Sequence, residues 1–504
     1  MSLLSKRPKP LALIIIEGWG VAPAGSGNAI TEATPAYFNE LIGKFPATVI
    51  EASGLSIGLS KGDTGSTRRG CRLIGRGAID DSTFNAATNV LKKNNKNKVL
   101  SKIISSASSK KRLHLISLLS TSEAESSLEH LKSFIALIPN DVEILIHGIL
   151  DGRDAPTTAG KEAVAQLETY LNKDSRIKLA TLCGRLYALD QLGNKERVAK
   201  AWRLLSSGEG SFYPSAEEAL TKNYSQQIFD EEFPPTVLLS DENSLIKQDE
   251  TVVFLNHKGF SQRNLGLLME KEHGENNIFY LRGTDKNRSI VTEISEETRA
   301  CLGTVLAEAG LKQIRLGDSE SYSVVTEFFD DGRTDFISGL ESLLLPLDQE
   351  NFMSDPDKIA KAAVEAIDIG AYDFMAIAFS SVDRAAHSGD IEKTKTEILA
   401  VDEALKKIIR HLLDAGGAAL ITSSHGIAER TVDLTGGRSA HTVNPVPFLI
   451  IAEEFEGRQL SLPEPLGGDL SILQPTGTLI DIAPTILSML RLPVPSSMNG
   501  KSFI

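Results

Sequence analysis

The chain reads as an α/β protein built on two doubly wound sheets, and three observations carry that reading. Short runs rich in Ile, Val and Leu recur along its length: LALIII (Leu11–Ile16), RLHLISLL (Arg112–Leu119), VEILIHGIL (Val142–Leu150), IKLATL (Ile177–Leu182), TVVFLN (Thr251–Asn256), DFMAIAF (Asp373–Phe379) and AALITS (Ala418–Ser423). They are apolar on both faces, as strands of a parallel sheet covered by helices on each side must be. Helical patterns lie between them, and 504 residues are too many for one ordinary core.

Each element has its own justification. The first strand, LALIII, stops at Glu17, and the Gly18–Trp19–Gly20 turn follows. The Ser/Lys/Asn-rich piece from Lys92 to Lys111 reads as a solvated helix and turn. The segment Gly274–Arg299 is polar and weakly periodic, which suits a linker. IEKTKTEILAVDEALKKIIRHLLDAGG, Ile391 to Gly417, is a long amphipathic helix that closes on two glycines. In open α/β sheets ligands sit beyond the carboxyl ends of the strands. The residues that follow the strands are therefore the first candidates: Glu17, Asp151–Asp154, Arg185, Asn256–Lys258, Asp383 and Ser424–His425.

Bulk composition narrows the class. A net charge of −13 and a pI near 5.3 argue against a nucleic-acid surface, which needs clustered Lys and Arg. Cys71, Cys183 and Cys301 are odd in number and far apart, which suits a reducing compartment rather than a disulfide framework. The apolar run Leu11–Ile16 is too short for a signal peptide, and no run reaches transmembrane length. The expectation is a cytoplasmic protein that binds neither nucleic acid nor membrane.

Four constellations bear on chemistry. Asp383 and His387 form D-x-x-x-H, and in a helix that spacing puts both side chains on one face. His425 ends a strand in TSSHG, and His441 stands in SAHTVNPVP. Imidazoles and a carboxylate suit zinc or manganese, although a lone histidine near a strand end is more often structural. In DGRD, Arg153 either clamps a phosphate or carboxylate or pairs locally with its aspartates, and Arg185 in CGRLYALD admits the same two readings. In KGDTGSTRRGCRLIGRG, Thr67 lies at the start of a helix, where it is either an anion-binding hydroxyl or a plain N-cap. Arg69, Arg72 and Arg76 share one face of that helix, as a solvated stripe or a cationic wall.

These pieces, in this order, resemble the cofactor-independent phosphoglycerate mutases of the alkaline phosphatase superfamily. ALIIIEGWG stands where that family has a strand ending in Asp-Gly-Trp/Phe-Gly. GNAITEATPAYFNEL, ATVIEASGLSIGL, IHGILDGRDAPTTAG, LATLCGRLYALD, AHSGDIEKTKTEILAVDEAL, SAHTVNPVPFLI and DIAPTILSMLRLPVPSSMNGKSFI match other family segments, so the likeness covers essentially the whole chain. The resemblance implies a phosphatase domain made of residues 1–79 and 306–504, with a transferase domain, 80–305, inserted between them. It also implies two manganese ions and a serine phosphorylated in mid-cycle.

Carried over residue by residue, the resemblance gives a first metal site of Asp383, His387 and His441. The second site is degenerate: its aspartates become Glu17 and Ser424, and His425 alone is unchanged. The family's Gly-Asn-Ser-Glu-Val-Gly-His becomes Gly65-Ser66-Thr67-Arg68-Arg69-Gly70-Cys71, so Thr67 holds the nucleophile position. A family histidine becomes Glu125, one arginine becomes Lys258, two more become Ser261 and Gln191, and a lysine becomes Ser321. Arg153, Asp154, Arg185 and Asp190 persist as substrate-binding positions. Losing about four cations and gaining an anion removes on the order of 5–10 kcal/mol of attraction for a phosphorylated acid.

The expectation is a pseudoenzyme-like homologue that has lost the glycolytic isomerase activity. It would keep the scaffold and at most one manganese or zinc ion for binding or regulation, as a monomer whose partner is a small phosphorylated ligand or a protein. An alternative is a metal-dependent phosphotransferase or phosphatase with Thr67 as nucleophile. A working phosphoglycerate mutase is the third reading.

Overall fold

The computed structural model describes residues 4–59, 61–79, 91, 97–121, 126, 128–153, 155–190, 194–239, 244–256, 262–282, 287–290, 300–318, 321–326, 329–330, 337–346, 354–431, 440–460 and 462–504. By contacts the chain divides into two compact units, Met1–Asp80 with Thr298–Ile504, and Asp81–Glu297. Among the described residues each is built on a seven-stranded sheet of the expected α/β kind.

In the first unit the strands are β1 (Leu11–Ile16), β2 (Ala47–Ile50), β10 (Gln313–Asp318), β11 (Leu340–Leu345), β12 (Phe374–Phe379), β13 (Ala418–Thr422) and β14 (Val446–Ile451). Their order is β11-β10-β12-β1-β13-β14-β2. All six residues of β1 are buried, because it runs between parallel neighbours, with Ile14 opposite both Ile377 and Ile421. The sheet is not wholly parallel as the sequence suggests: β13 and β14 are antiparallel, and so are β14 and β2. A parallel return needs a crossover helix, and between β13 and β14 the described residues hold only the single turn Ala428–Arg430. The helix Ile391–Asp414 covers one face with Ile398, Val401, Leu405, Ile408 and Leu412, the apolar stripe its periodicity predicts. Its buried Asp402 accepts from the backbone N–H groups of Tyr37 and Phe38 at 3.0 and 2.7 Å, holding the first turn of the helix Ala36–Lys44.

The second unit holds β3 (Arg112–Leu119), β4 (Glu143–Leu150), β5 (Ile177–Gly184), β6 (Ser211–Phe212), β7 (Thr236–Val237), β8 (Thr251–Phe254) and β9 (Ile278–Tyr280), in the order β6-β7-β5-β4-β3-β8-β9. The edge strand β9 lies inside the stretch read as a linker. Its three residues are all buried and pair with β8, so tertiary packing overrides a weak local signal. A polar chain crosses the middle of this sheet. Glu250 meets His114 Nε2 at 3.0 Å, His114 Nδ1 meets His147 Nε2 at 3.0 Å, and His147 Nδ1 meets the Thr181 hydroxyl at 2.9 Å. Burial lowers both imidazoles, the second one well below the usual range. No helix among the described residues is long and apolar enough to cross a membrane.

Candidate metal centre

Three strand ends of the first unit converge on one cluster of side chains. After β12 the short helix Ser381–His387 presents Asp383 and His387 one turn apart, as the i,i+4 spacing requires. His441 reaches the same place from the loop before β14. The ligating atoms of Asp383, His387 and His441 all lie within 4.8 Å of one another, and no other such trio occurs among the described residues. Asp383 Oδ1 is 3.6 Å from His387 Nε2 and 3.9 Å from His441 Nε2, and the two imidazole Nε2 atoms are 3.2 Å apart. Burial by itself raises the Asp383 carboxyl, but His387, His425 and His441 outweigh it and hold that carboxyl well below the usual carboxylate range. A carboxylate and two imidazoles so placed fit a divalent ion such as manganese or zinc.

His425, at the end of β13, touches this cluster. Its Nε2 meets Asp383 Oδ1 at 2.9 Å, and its Nδ1 meets the Ser424 hydroxyl at 2.9 Å, so both ring nitrogens are engaged. Glu17, directly after β1, is buried at 3% exposure. It lies near Cys71, whose fully buried thiol is pushed well up by burial and by the Glu17 carboxylate, against a hydrogen bond with Ser424 that acts the other way. Glu17, Cys71 and Ser424 thus neighbour one another, with the thiol kept protonated and a hydroxyl at position 424.

The loop KGDTGSTRRG docks against this cluster. The Gly65 carbonyl accepts from His441 Nδ1 at 3.0 Å. The helix that follows spans Thr67–Arg76, and its N-cap is Ser66, which accepts from the Arg69 N–H at 3.4 Å. Thr67 is therefore the first helical residue, half-buried, and not the cap. The arginines are not a solvated stripe: Arg76 is 6% exposed, and Arg69 Nε donates to the Ile57 carbonyl at 2.7 Å. A Cβ at Gly70 would stand 2.2 Å from the Ser424 carbonyl oxygen, so the helix lies backbone to backbone against the His425 strand end.

In the second unit Arg153 and Arg185 are both drawn into ion pairs. Arg185 meets Asp151 at 2.5 Å, and Asp151 also accepts from the Ser120 hydroxyl at 2.6 Å. Arg153 pairs with Glu231 at 3.0 Å. Asp190 pairs with Arg197 at 3.3 Å and accepts from the Asn194 N–H at 2.9 Å. Asp154, Lys258, Glu125, Gln191 and Ser261 lie outside the described residues. Ser321, back in the first unit, is fully buried and donates to Asp318 at 3.0 Å, so its hydroxyl serves the local turn.

Two residues of these surroundings escaped sequence reasoning. Glu231 neutralises Arg153 from 78 positions away, which no motif spacing reveals. Glu429 is buried under the Gly20 turn and accepts from Thr442 and from Asn444 at 3.0 Å, so it ties the His441 loop to the loop after β1. Its place four residues after His425 was the available signal.

Comparison with known proteins gives the family. Residues 9–494 match the model of the metalloenzyme superfamily, which sets the class. A 2,3-bisphosphoglycerate-independent phosphoglycerate mutase of Clostridium botulinum is 31% identical, over 98% of this chain and 99% of its own. The protein of that name from Desulforudis audaxviator is 32% identical at the same coverage. A crystal structure of Leishmania mexicana phosphoglycerate mutase superposes with a TM-score of 0.84 at 21% identity, covering 98% of this chain and 97% of that one, and shares the fold. The chain belongs to the 2,3-bisphosphoglycerate-independent phosphoglycerate mutase family.

Proposed function

We propose that this chain is a divergent family member that has given up phosphoglycerate mutation. It keeps the scaffold and one divalent-ion site, for binding or regulation of a small phosphorylated molecule or a protein. The engagement of His425 carries this reading. One ring nitrogen is held by Asp383 and the other by Ser424, and a hydroxyl stands where a carboxylate would complete a second ion site. Arg153 and Arg185, paired with Glu231 and Asp151, support it further, since a phosphorylated acid would have to compete with those carboxylates.

Asp383, His387 and His441 would hold the ion, and a bound ion supplies a Lewis acid for a phosphoryl or carboxylate oxygen. The charge on Asp383 orients the three imidazoles around it, and the Gly65 carbonyl fixes the outer nitrogen of His441. Purified chain should carry one manganese or zinc ion and should not interconvert 3- and 2-phosphoglycerate in a coupled assay with added manganese. Family-like turnover in that assay would end the reading.

One contact favours a second reading, a phosphotransferase or phosphatase that uses Thr67. The bond from His441 to the Gly65 carbonyl, two residues before Thr67, supports it. Under that reading Thr67 becomes phosphorylated when the protein meets a reactive phosphoester, and intact-mass measurement detects the adduct. Thr67→Ala would abolish it.

A further inference from the structure

A pocket of about 350 Å³ opens in the first unit between the loop after β1, the helix Ala36–Lys44 and the turn at Gly467–Asp469. That volume lies within the range of small-molecule sites. Trp19 and Phe38 lie at its edge, 1% and 3% exposed with ring centroids 4.7 Å apart, and Val21 and Ile30 are half-buried apolar lining residues. Trp19 makes its hydrogen bonds through its backbone N–H, to the Ile16 carbonyl and the Ser423 hydroxyl. Among the described residues the indole N–H meets no acceptor, although a buried tryptophan usually finds one. The wall holds Thr34 at φ 51°, a conformation that a branched residue adopts only at a cost. Among the described residues Asp469 is the one charged lining residue. It is exposed, and one of its oxygens accepts from the Ser471 N–H at 2.8 Å.

The geometry points to a binding site for a small aromatic amine that carries an acceptor oxygen. The ring packs on the half-buried Val21 and Ile30, the oxygen takes the indole N–H, and the cationic amine faces Asp469. Among the described residues no lysine or arginine lines the pocket, so an anionic analogue meets a carboxylate there. The site uses none of the residues of the metal centre and stands independently of the function proposed above.

Tyramine is the probe, with 2-phenylethylamine lacking the oxygen and 3-(4-hydroxyphenyl)propionate reversing the charge. Ligand-observed NMR on the full chain should show saturable binding in the order tyramine, phenylethylamine, propionate. The Trp202→Phe protein, which leaves Trp19 as the sole tryptophan, should report tyramine binding by fluorescence. Asp469→Asn retains an oxygen for the Ser471 N–H and should weaken tyramine about fivefold, the scale of an exposed ion pair. Asn39→Trp, at an exposed lining position, should block binding, and Ser471→Trp does so from the other wall if that variant misfolds. No saturable binding at millimolar tyramine would overturn the proposal. So would tighter binding of the propionate, or undiminished binding with the pocket filled in a protein whose circular dichroism matches the parent.

Discussion

Replacing Gly70 by alanine tests whether the helix Thr67–Arg76 is held by contact with the metal-centre strand end. The new Cβ would sit 2.2 Å from the Ser424 carbonyl oxygen and 2.8 Å from its carbonyl carbon and Cα, all backbone atoms that cannot rotate away. Ordinary contact begins near 3.4 Å, so the helix must withdraw by about 1 Å. Overpacking of that kind costs roughly 1–3 kcal/mol, while exchanging a helical glycine for alanine returns up to about 1 kcal/mol. The expected net loss is about 1–2 kcal/mol, or roughly 2–8 °C in melting temperature for a domain of this size. Ion affinity should fall as well, because the same shift disturbs Gly65 and hence His441. Gly43, in the helix Ala36–Lys44, has nothing within 4 Å of its ideal Cβ, so Gly43→Ala should instead stabilise by about 0.5–1 kcal/mol. Urea unfolding and manganese titration of the two variants give the answer. A Gly70→Ala protein as stable as the parent, with unchanged ion affinity, would refute the packing argument.

Three further outcomes follow from other parts of the molecule. Glu17→Asp with Ser424→Asp should raise bound manganese from one ion to two per chain, measured by elemental analysis, and an unchanged count would show that these two positions do not account for the missing site. The folded-state pKa values of His114, His147 and Glu250 are depressed, that of Glu250 to about 2, so these groups take protons more readily unfolded. Their contribution is whole above about pH 6.5, falls first as the unfolded imidazoles charge, and falls again below about pH 4.5. Asp230, raised by burial to about 7, acts in the opposite sense. The readout is therefore a difference: between pH 7.5 and 5, His147→Gln should lose less stability than the parent in thermal melts. Arg315 is fully buried between Phe329 and Phe374 and pairs with Asp330 at 3.3 Å, so Arg315→Met, which removes the cation of that buried pair, should cost about 3–5 kcal/mol, and adding Asp330→Asn should recover part of it in urea melts.

What sequence patterns reveal here depends on how local the cause is. Leu11–Ile16 was legible to the residue, because a strand buried on both faces is apolar throughout, and Arg112–Leu119 was legible from its five aliphatic residues despite the buried His114 and Ser117. The i,i+4 placement of Asp383 and His387 follows from helix geometry alone. Strand Leu340–Leu345 escaped notice because it is a largely exposed edge, where Glu341 and Ser342 break the apolar run. The partners of Arg153 and His425 were equally hidden, since Glu231 and Asp383 meet them only through the folded chain. The cap at Ser66 rather than Thr67 turns on a backbone angle, ψ 153° at Ser66, that either hydroxyl residue could have adopted.

The turn Glu17–Gly20 has a consequence for how the molecule responds to ligands. Gly18 packs so closely that a Cβ there would lie 2.8 Å from the Asp383 Cα, and the next residue, Trp19, lines the pocket. One short, tightly wedged piece of backbone thus borders both the ion cluster and the pocket. Any displacement it transmits acts both ways: the factor by which an occupant of the pocket alters ion affinity must equal the factor by which the ion alters the occupant's affinity. Titrating either site therefore measures the stiffness of that wedge.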